Sequence, residues 1–161
     1  MSYQFTVPKR TIMGKDALLD SVNIMKDYGT KALVVCGKVM TKNGTIAMFT
    51  DLLKNAGLEF QVYNEIIGEP TDKMIEEGVK VYKDTNCDFG IGGGSPLDSA
   101  KAIAAMSVLG GKISDYMGKE IKGDFPPLVL IPSTAGTGSE TTKFTVITDT
   151  EKDVKMLLKG E

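Results

Sequence analysis

The sequence predicts an α/β domain built on a parallel β-sheet with helices on both faces. Three observations carry this expectation. Short apolar, β-rich runs alternate with stretches whose apolar residues recur at helical spacing. The runs are apolar at successive positions, so both faces of each strand are expected to be covered. Two of the runs lead straight into loops rich in glycine and hydroxyl residues. At 161 residues the chain fits one domain, and a domain of that size hides roughly 70% of its extended-chain surface. No repeat, low-complexity tract or linker divides it.

The elements follow in chain order. Gln4–Gly14 reads as an extended strand or hairpin and Asp16–Tyr28 as a helix. Lys31–Cys36 (KALVVC) is a continuous apolar run, followed by Gly37 and a helical stretch to Ala56 with Ile46, Phe49, Leu52 and Leu53 on one face. Phe60–Ile66 leans to strand, and after the turn at Gly68-Glu69-Pro70 either Thr71 or Asp72 can cap a helix that aligns Ile75, Val79 and Tyr82. Cys87–Ile91 is a short strand entering Gly92-Gly93-Gly94-Ser95. The helix from Pro96 carries Leu97, Ala100, Ile103 and Ala104 on its buried side. Pro127–Ile131 reads as a fully buried strand and Thr145–Asp149 as another.

Composition excludes several classes of function. A net charge of −2 with scattered Lys and Arg argues against non-specific nucleic-acid binding, which needs a basic field. No apolar stretch approaches the ~18 residues of a membrane-spanning helix, and the first ten residues lack the apolar core of a secretory signal. Cys36 and Cys87 lie in or beside apolar runs without a CxxC partner, as small core residues in a reducing compartment do. A cytoplasmic location is therefore expected. With no histidine and no CxxC, the chain cannot build an ordinary His- or Cys-based transition-metal site, nor a Ser–His or Cys–His nucleophile pair.

Two loops can carry chemistry. Gly92-Gly93-Gly94-Ser95-Pro96-Leu97-Asp98 leaves a strand and opens a helix. Ser95 suits the N-cap, Pro96 the first turn, and Asp98 stands three residues on, as in a capping box. Glycines ahead of a helix N-terminus let the backbone approach a ligand and offer free N–H groups, an arrangement that fits a pyrophosphate. A plain strand–helix turn does not need three successive glycines. The dinucleotide pattern G-x-G-x-x-G fails because Leu97 stands where its last glycine would be, and the Walker pattern is absent. The second loop, Pro132-Ser133-Thr134-Ala135-Gly136-Thr137-Gly138-Ser139-Glu140-Thr141-Thr142, offers many short donors for phosphate, ribose or carboxamide. Its alternative is a polar loop with a capping box at Thr137 and Glu140. Two such loops after strands of one sheet share the carboxyl edge, where ligands bind.

Gly92 to Ala102 followed by Pro132 to Thr142, with Val146-Ile147-Thr148-Asp149, Lys155 and the opening Pro8…Gly14, resembles the iron-containing (group III) alcohol dehydrogenases along essentially the whole chain. The resemblance implies a Rossmann-like, dehydroquinate-synthase-like dinucleotide-binding domain over residues 1–161. It implies that Gly93, Gly94 and Ser95 hold the pyrophosphate, with Asp98 close to the cofactor. Ser133, Thr134 and Thr137 would line the groove, and Val146 and Lys155 would close over the nicotinamide half. The chemistry implied is hydride transfer between an alcohol and NAD or NADP, with iron polarising the oxygen.

Two departures from the family bear on function. The family's helical C-terminal domain, which supplies one Asp and three His to the metal, is missing from this sequence, so a fragment that binds dinucleotide without turnover is expected. At Gly37, where NAD-preferring relatives carry an acidic residue, the ribose acceptor is lost, and Lys38 beside it can meet the extra phosphate. NADP is therefore expected over NAD. The partners implied are the dinucleotide, a small alcohol or aldehyde, and further copies of the chain, but not nucleic acid or a membrane. Two other functions fit the same residues: a stand-alone nucleotide-binding or assembly module, and part of a zinc-dependent polyol dehydrogenase.

Overall fold

In the computed structural model, which describes Ser2, residues 7–94 and residues 96–160, the run Ala32–Cys36 forms the middle of a parallel sheet. This strand, β1 (Lys31–Gly37), lies between β2 (Glu59–Ile66) and β3 (Phe89–Gly93), and β3 pairs in turn with β5 (Leu128–Ile131). The order β2-β1-β3-β5 is parallel throughout, with Val34 opposite Val62 and Ile91, and Ile91 opposite Val129.

Because successive strand residues point to opposite faces, the unbroken apolar run of β1 feeds two cores. Leu33 and Val35 join Tyr63, Ile75, Tyr82, Ala100, Ile103 and Met106 under α4 (Asp72–Asp84) and α5 (Leu97–Leu109). Ala32, Val34 and Cys36 join Val22, Met25, Ile46, Phe49, Leu53, Phe89 and Ile91 under α1 (Ala17–Met25) and α3 (Thr45–Asn55). The doubly covered sheet expected from the sequence is present. Cys36 and Cys87 are buried and unbridged, and burial pushes both thiols up against the opposing pull of hydrogen bonds with Thr41 and Thr85.

Several expectations need correction. The helix expected from Gly37 to Ala56 is two: α2 (Lys38–Lys42) and α3 are separated at Asn43-Gly44, where Gly44 turns left-handed at φ 82°. Residues 7–13 form neither helix nor strand, and the rest of the strand or hairpin expected over Gln4–Gly14 begins outside the described residues. The strand expected at Pro127–Ile131 is half-buried rather than fully buried, because β5 stands at one end of the strand order.

Thr145–Asp149 does form a strand, β6 (Phe144–Asp149), but not in the parallel sheet. It pairs antiparallel with β7 (Val154–Gly160), which also meets the short β4 (Glu120–Ile121). Burial alternates along β6: Thr145, Ile147 and Asp149 face in, while Phe144 and Val146 are exposed. Asp149 is buried because its carboxylate accepts from the backbone N–H groups of Glu151 and Lys152 in the turn that joins the two strands.

Candidate dinucleotide site

The three glycines after β3 do different things. A Cβ on Gly92 would come within 2.7 Å of the Ala100 Cβ and 2.9 Å of Leu130 Cδ2, so this glycine lets α5 pack directly on the sheet. A Cβ on Gly93 would meet nothing nearer than Met40 Cε at 4.0 Å, which leaves its surface open. Gly94 has φ 72°, the left-handed region that favours glycine. A Cβ there would lie 2.8 Å from Met40 Sδ and 3.1 Å from Ser133 Oγ.

The backbone turns out of the sheet at Gly94, and α5 starts at once with Pro96 at its N-cap position. Among the described residues no side chain caps that end; a helix N-terminus carries N–H groups and partial positive charge. Ser95, the expected N-cap and pyrophosphate ligand, lies outside the described residues, and so does any capping box it makes with Asp98.

Tertiary structure brings other predicted residues to this edge. Gly37 closes β1, one strand away from the glycine loop, and opens α2, whose Met40 leans over Gly94. Ser133 arrives from the end of β5, where the Gly94 amide donates to the Ile131 carbonyl at 3.2 Å. The Pro132–Thr142 loop contains no helix, so no capping box forms at Thr137 and Glu140. Instead the Thr137 hydroxyl accepts from the Ser139 amide, and the chain turns at Gly138, whose carbonyl accepts from the amides of Thr141 and Thr142. Ser133, Thr134 and Thr137 are all exposed.

Lys38 reaches the edge already engaged. Its ammonium sits 2.7 Å from Glu65 Oε2 at the end of β2, both side chains about half exposed. Lys155 is paired as well, 2.6 Å from Glu69 in the loop before α4. The β6–β7 hairpin that carries Lys155 touches the same loop through the Thr148 amide, which donates to the Pro70 carbonyl at 2.8 Å.

Asp98 is the most heavily engaged of the predicted residues. Its carboxylate accepts from Ser139 Oγ at 2.5 Å, the Val146 amide at 2.9 Å and Lys101 Nζ at 2.8 Å. Burial alone would raise this carboxyl, but the hydrogen bonds from Lys101, Ser139 and Val146 outweigh it and hold the group below its ordinary value. Lys101, Met40 and Glu65 were not singled out from the sequence. Only Lys101 left a trace there, three residues after an acid on a helix.

The concave surfaces elsewhere do not coincide with this edge. One cleft of about 810 Å³ lies between α5, β5 and the Glu140–Thr145 segment, and one Glu140 carboxylate oxygen is buried without a partner. No described helix is long and apolar enough to cross a membrane. No cluster of three or more His, Cys, Asp or Glu suited to a metal ion occurs among the described residues.

Known proteins share both the sequence and this architecture. The chain is 38% identical over 156 residues to the NAD-dependent methanol dehydrogenase of Bacillus methanolicus, a match covering 94% of this chain and 41% of that protein. A crystal structure of 1,3-propanediol oxidoreductase superposes with a TM-score of 0.94 at 29% identity, over 99% of this chain and 43% of that one. Sulfoacetaldehyde reductase from Bifidobacterium kashiwanohense, solved with NAD+, shares the fold at a TM-score of 0.90 and 23% identity, over 100% of this chain and 44% of that one. The chain thus spans well under half the length of these relatives. Residues 8–161 match the family model of iron-containing alcohol dehydrogenases, and the chain belongs to that family.

Proposed function

We propose that this chain is the dinucleotide-binding part of an NAD(P)-dependent, iron-type alcohol dehydrogenase acting on small alcohols and aldehydes. The observation that carries the reading is the cradle at Gly93-Gly94. Gly93 has open space around it, Gly94 is left-handed, the N-terminus of α5 lies behind it and Ser133 stands beside it. These groups suit a pyrophosphate. Ser133, Thr134 and Thr137 supply hydroxyls along the groove, with Val146 and Lys155 on the hairpin toward the nicotinamide end. When bound, the nicotinamide accepts or returns the hydride, and the residues named here hold and orient it. Iron does not fit: the chain has no histidine, and the described residues offer no ligand cluster.

The choice between NAD and NADP turns on Gly37, Lys38 and Glu65. Gly37 has room for a side chain, since a Cβ there would meet only the Ile66 carbonyl at 3.7 Å. Lys38 can serve the extra phosphate of NADP, but its pairing with Glu65 leaves no net charge to attract it. A half-exposed pair is worth only about 0–1 kcal/mol, so Lys38 is easily drawn away while the Glu65 charge still repels. On this reading the chain takes both cofactors, and the preference for NADP is small.

The test is titration of NADH and NADPH against one preparation. Gly93→Val should weaken both by tenfold or more while the chain stays folded. Glu65→Gln should shift the ratio toward NADPH by about tenfold, and Gly37→Asp should shift it toward NADH. Unchanged binding in the folded Gly93 variant would move the site elsewhere.

A further inference from the structure

We propose that Lys101 is a positioning residue of the cofactor groove, one that sets the second loop against the glycine cradle without touching the ligand. This rests on the dinucleotide reading above. Lys101 lies one turn into α5, and its side chain is only 14% exposed. Its ammonium donates to three acceptors: Asp98 Oδ1 at 2.8 Å, the Ser139 carbonyl at 2.9 Å and the Phe144 carbonyl at 2.5 Å. An ammonium has three protons, and all three are used. A lysine beside a phosphate cradle would ordinarily be assigned to the phosphate. Here it has no donor left for one.

Its two carbonyl partners bracket residues 139–144, the passage from the hydroxyl-rich loop into β6. Asp98 reinforces both ends of that passage. Its carboxylate takes the Ser139 hydroxyl and the Val146 amide, and its backbone carbonyl takes the Thr145 hydroxyl at 2.7 Å. The Asp98 carboxylate is thus occupied by protein donors, and its effect on a cofactor runs through the loop it holds. The loop's other bonds near this point are the local turns at Gly138 and one bond across to β7, where the Gly160 amide donates to the Lys143 carbonyl at 2.8 Å. Remove the ammonium, and the Ser139 and Phe144 carbonyls lose its hydrogen bonds, while Asp98 Oδ1 keeps the Ser139 hydroxyl but loses its charged partner. The segment must then shift to find water. Val146 shifts with it, and with Val146 the nicotinamide end of the groove. The pyrophosphate cradle, made by β3 and the start of α5, stays in place.

The experiment uses Lys101→Met, which keeps the unbranched aliphatic stem. Hydrogen exchange is compared over residues 132–146 and over β1–β3. NADH and ADP are titrated against the parent and the variant; ADP keeps the adenosine and pyrophosphate but lacks the nicotinamide half. The expected result is faster exchange in 132–146 with β1–β3 unchanged, NADH affinity reduced about tenfold, and ADP affinity within twofold of the parent. A variant with unchanged exchange, unchanged NADH affinity, or equal losses for NADH and ADP overturns the proposal, equal losses marking a purely structural role. A parent chain that binds neither ligand refutes the dinucleotide reading itself, and this proposal with it.

Discussion

Adjacent glycines that read as one motif divide at the level of atoms into packing and binding roles. Gly92 is fixed by Ala100 and Leu130, whose atoms would lie within 2.7 and 2.9 Å of an added Cβ. Ala100 has no rotamer with which to yield. Gly93, with its nearest contact at 4.0 Å, has no such constraint. Gly92→Ala should therefore cost about 1–3 kcal/mol of stability through overpacking, and Gly93→Ala should be close to neutral. Urea unfolding of the two variants beside the parent checks this, and equal losses would refute the division. The triplet was legible in the sequence as a candidate site. Which of its members has open space beside it was not, because that depends on how closely α5 approaches the sheet.

At the scale of elements, the hairpin β6–β7 shows how a strand is recognised and then misplaced. Thr145–Asp149 has strand-forming composition, and it forms a strand. Its neighbours were misjudged because Val146 and Phe144 are apolar yet exposed, which makes a half-solvated antiparallel strand look buried on both faces. This hairpin docks on α5 through buried Ile147, Met156 and Leu158, which share a core with Ala102, Ile103 and Met106, and through a polar cluster of the Asp98 carboxylate with Lys101, Ser139 and Val146. Hydrogen bonding holds the Asp98 carboxyl below its ordinary value, so its contribution to stability is complete above the unfolded value, about 4. That contribution is lost as pH falls through the lowered folded value. Asp88 behaves the same way at the opposite edge of the sheet, where it accepts from the Thr30 and Lys31 amides and the Thr30 hydroxyl. The thermal midpoint should fall steeply below about pH 4, and less steeply in Asp98→Asn, which has no proton to take up there. Identical slopes for parent and variant would remove Asp98 from the account of acid lability.

Across the whole molecule, residues far apart in the chain meet because parallel strands end on one side. Gly37, Gly93, Gly94 and Ser133 end or follow three different strands and converge at the carboxyl edge, with Met40 beside Gly93 and Gly94. Among the described residues the same edge holds no cluster of His, Cys, Asp or Glu suited to a metal ion. Supplied with ferrous ion, NAD and a primary alcohol, the isolated chain should give no change in absorbance from reduced cofactor above a protein-free control. A metal-dependent rate that follows the purified chain through a second column would overturn that expectation.

The sequence by itself determined the α/β class, most of the elements, the family, the two loops proposed to hold the ligand and the absence of histidine from these 161 residues. These are consequences of local periodicity, of glycines before a helix, and of a residue count. Only the tertiary structure decided that Gly44 splits a helix, that β6 leaves the parallel sheet, that Lys38 is neutralised by Glu65, and that Asp98 and Lys101 hold a loop. The reason is physical: Lys38, Asp98 and Lys101 depend on partners between 27 and 48 positions away, β6 on its pairing with β7, and the helix break on a backbone angle that many sequences permit. Local patterning records which face of an element is apolar. It does not record which distant carbonyl or carboxylate will meet a given charge.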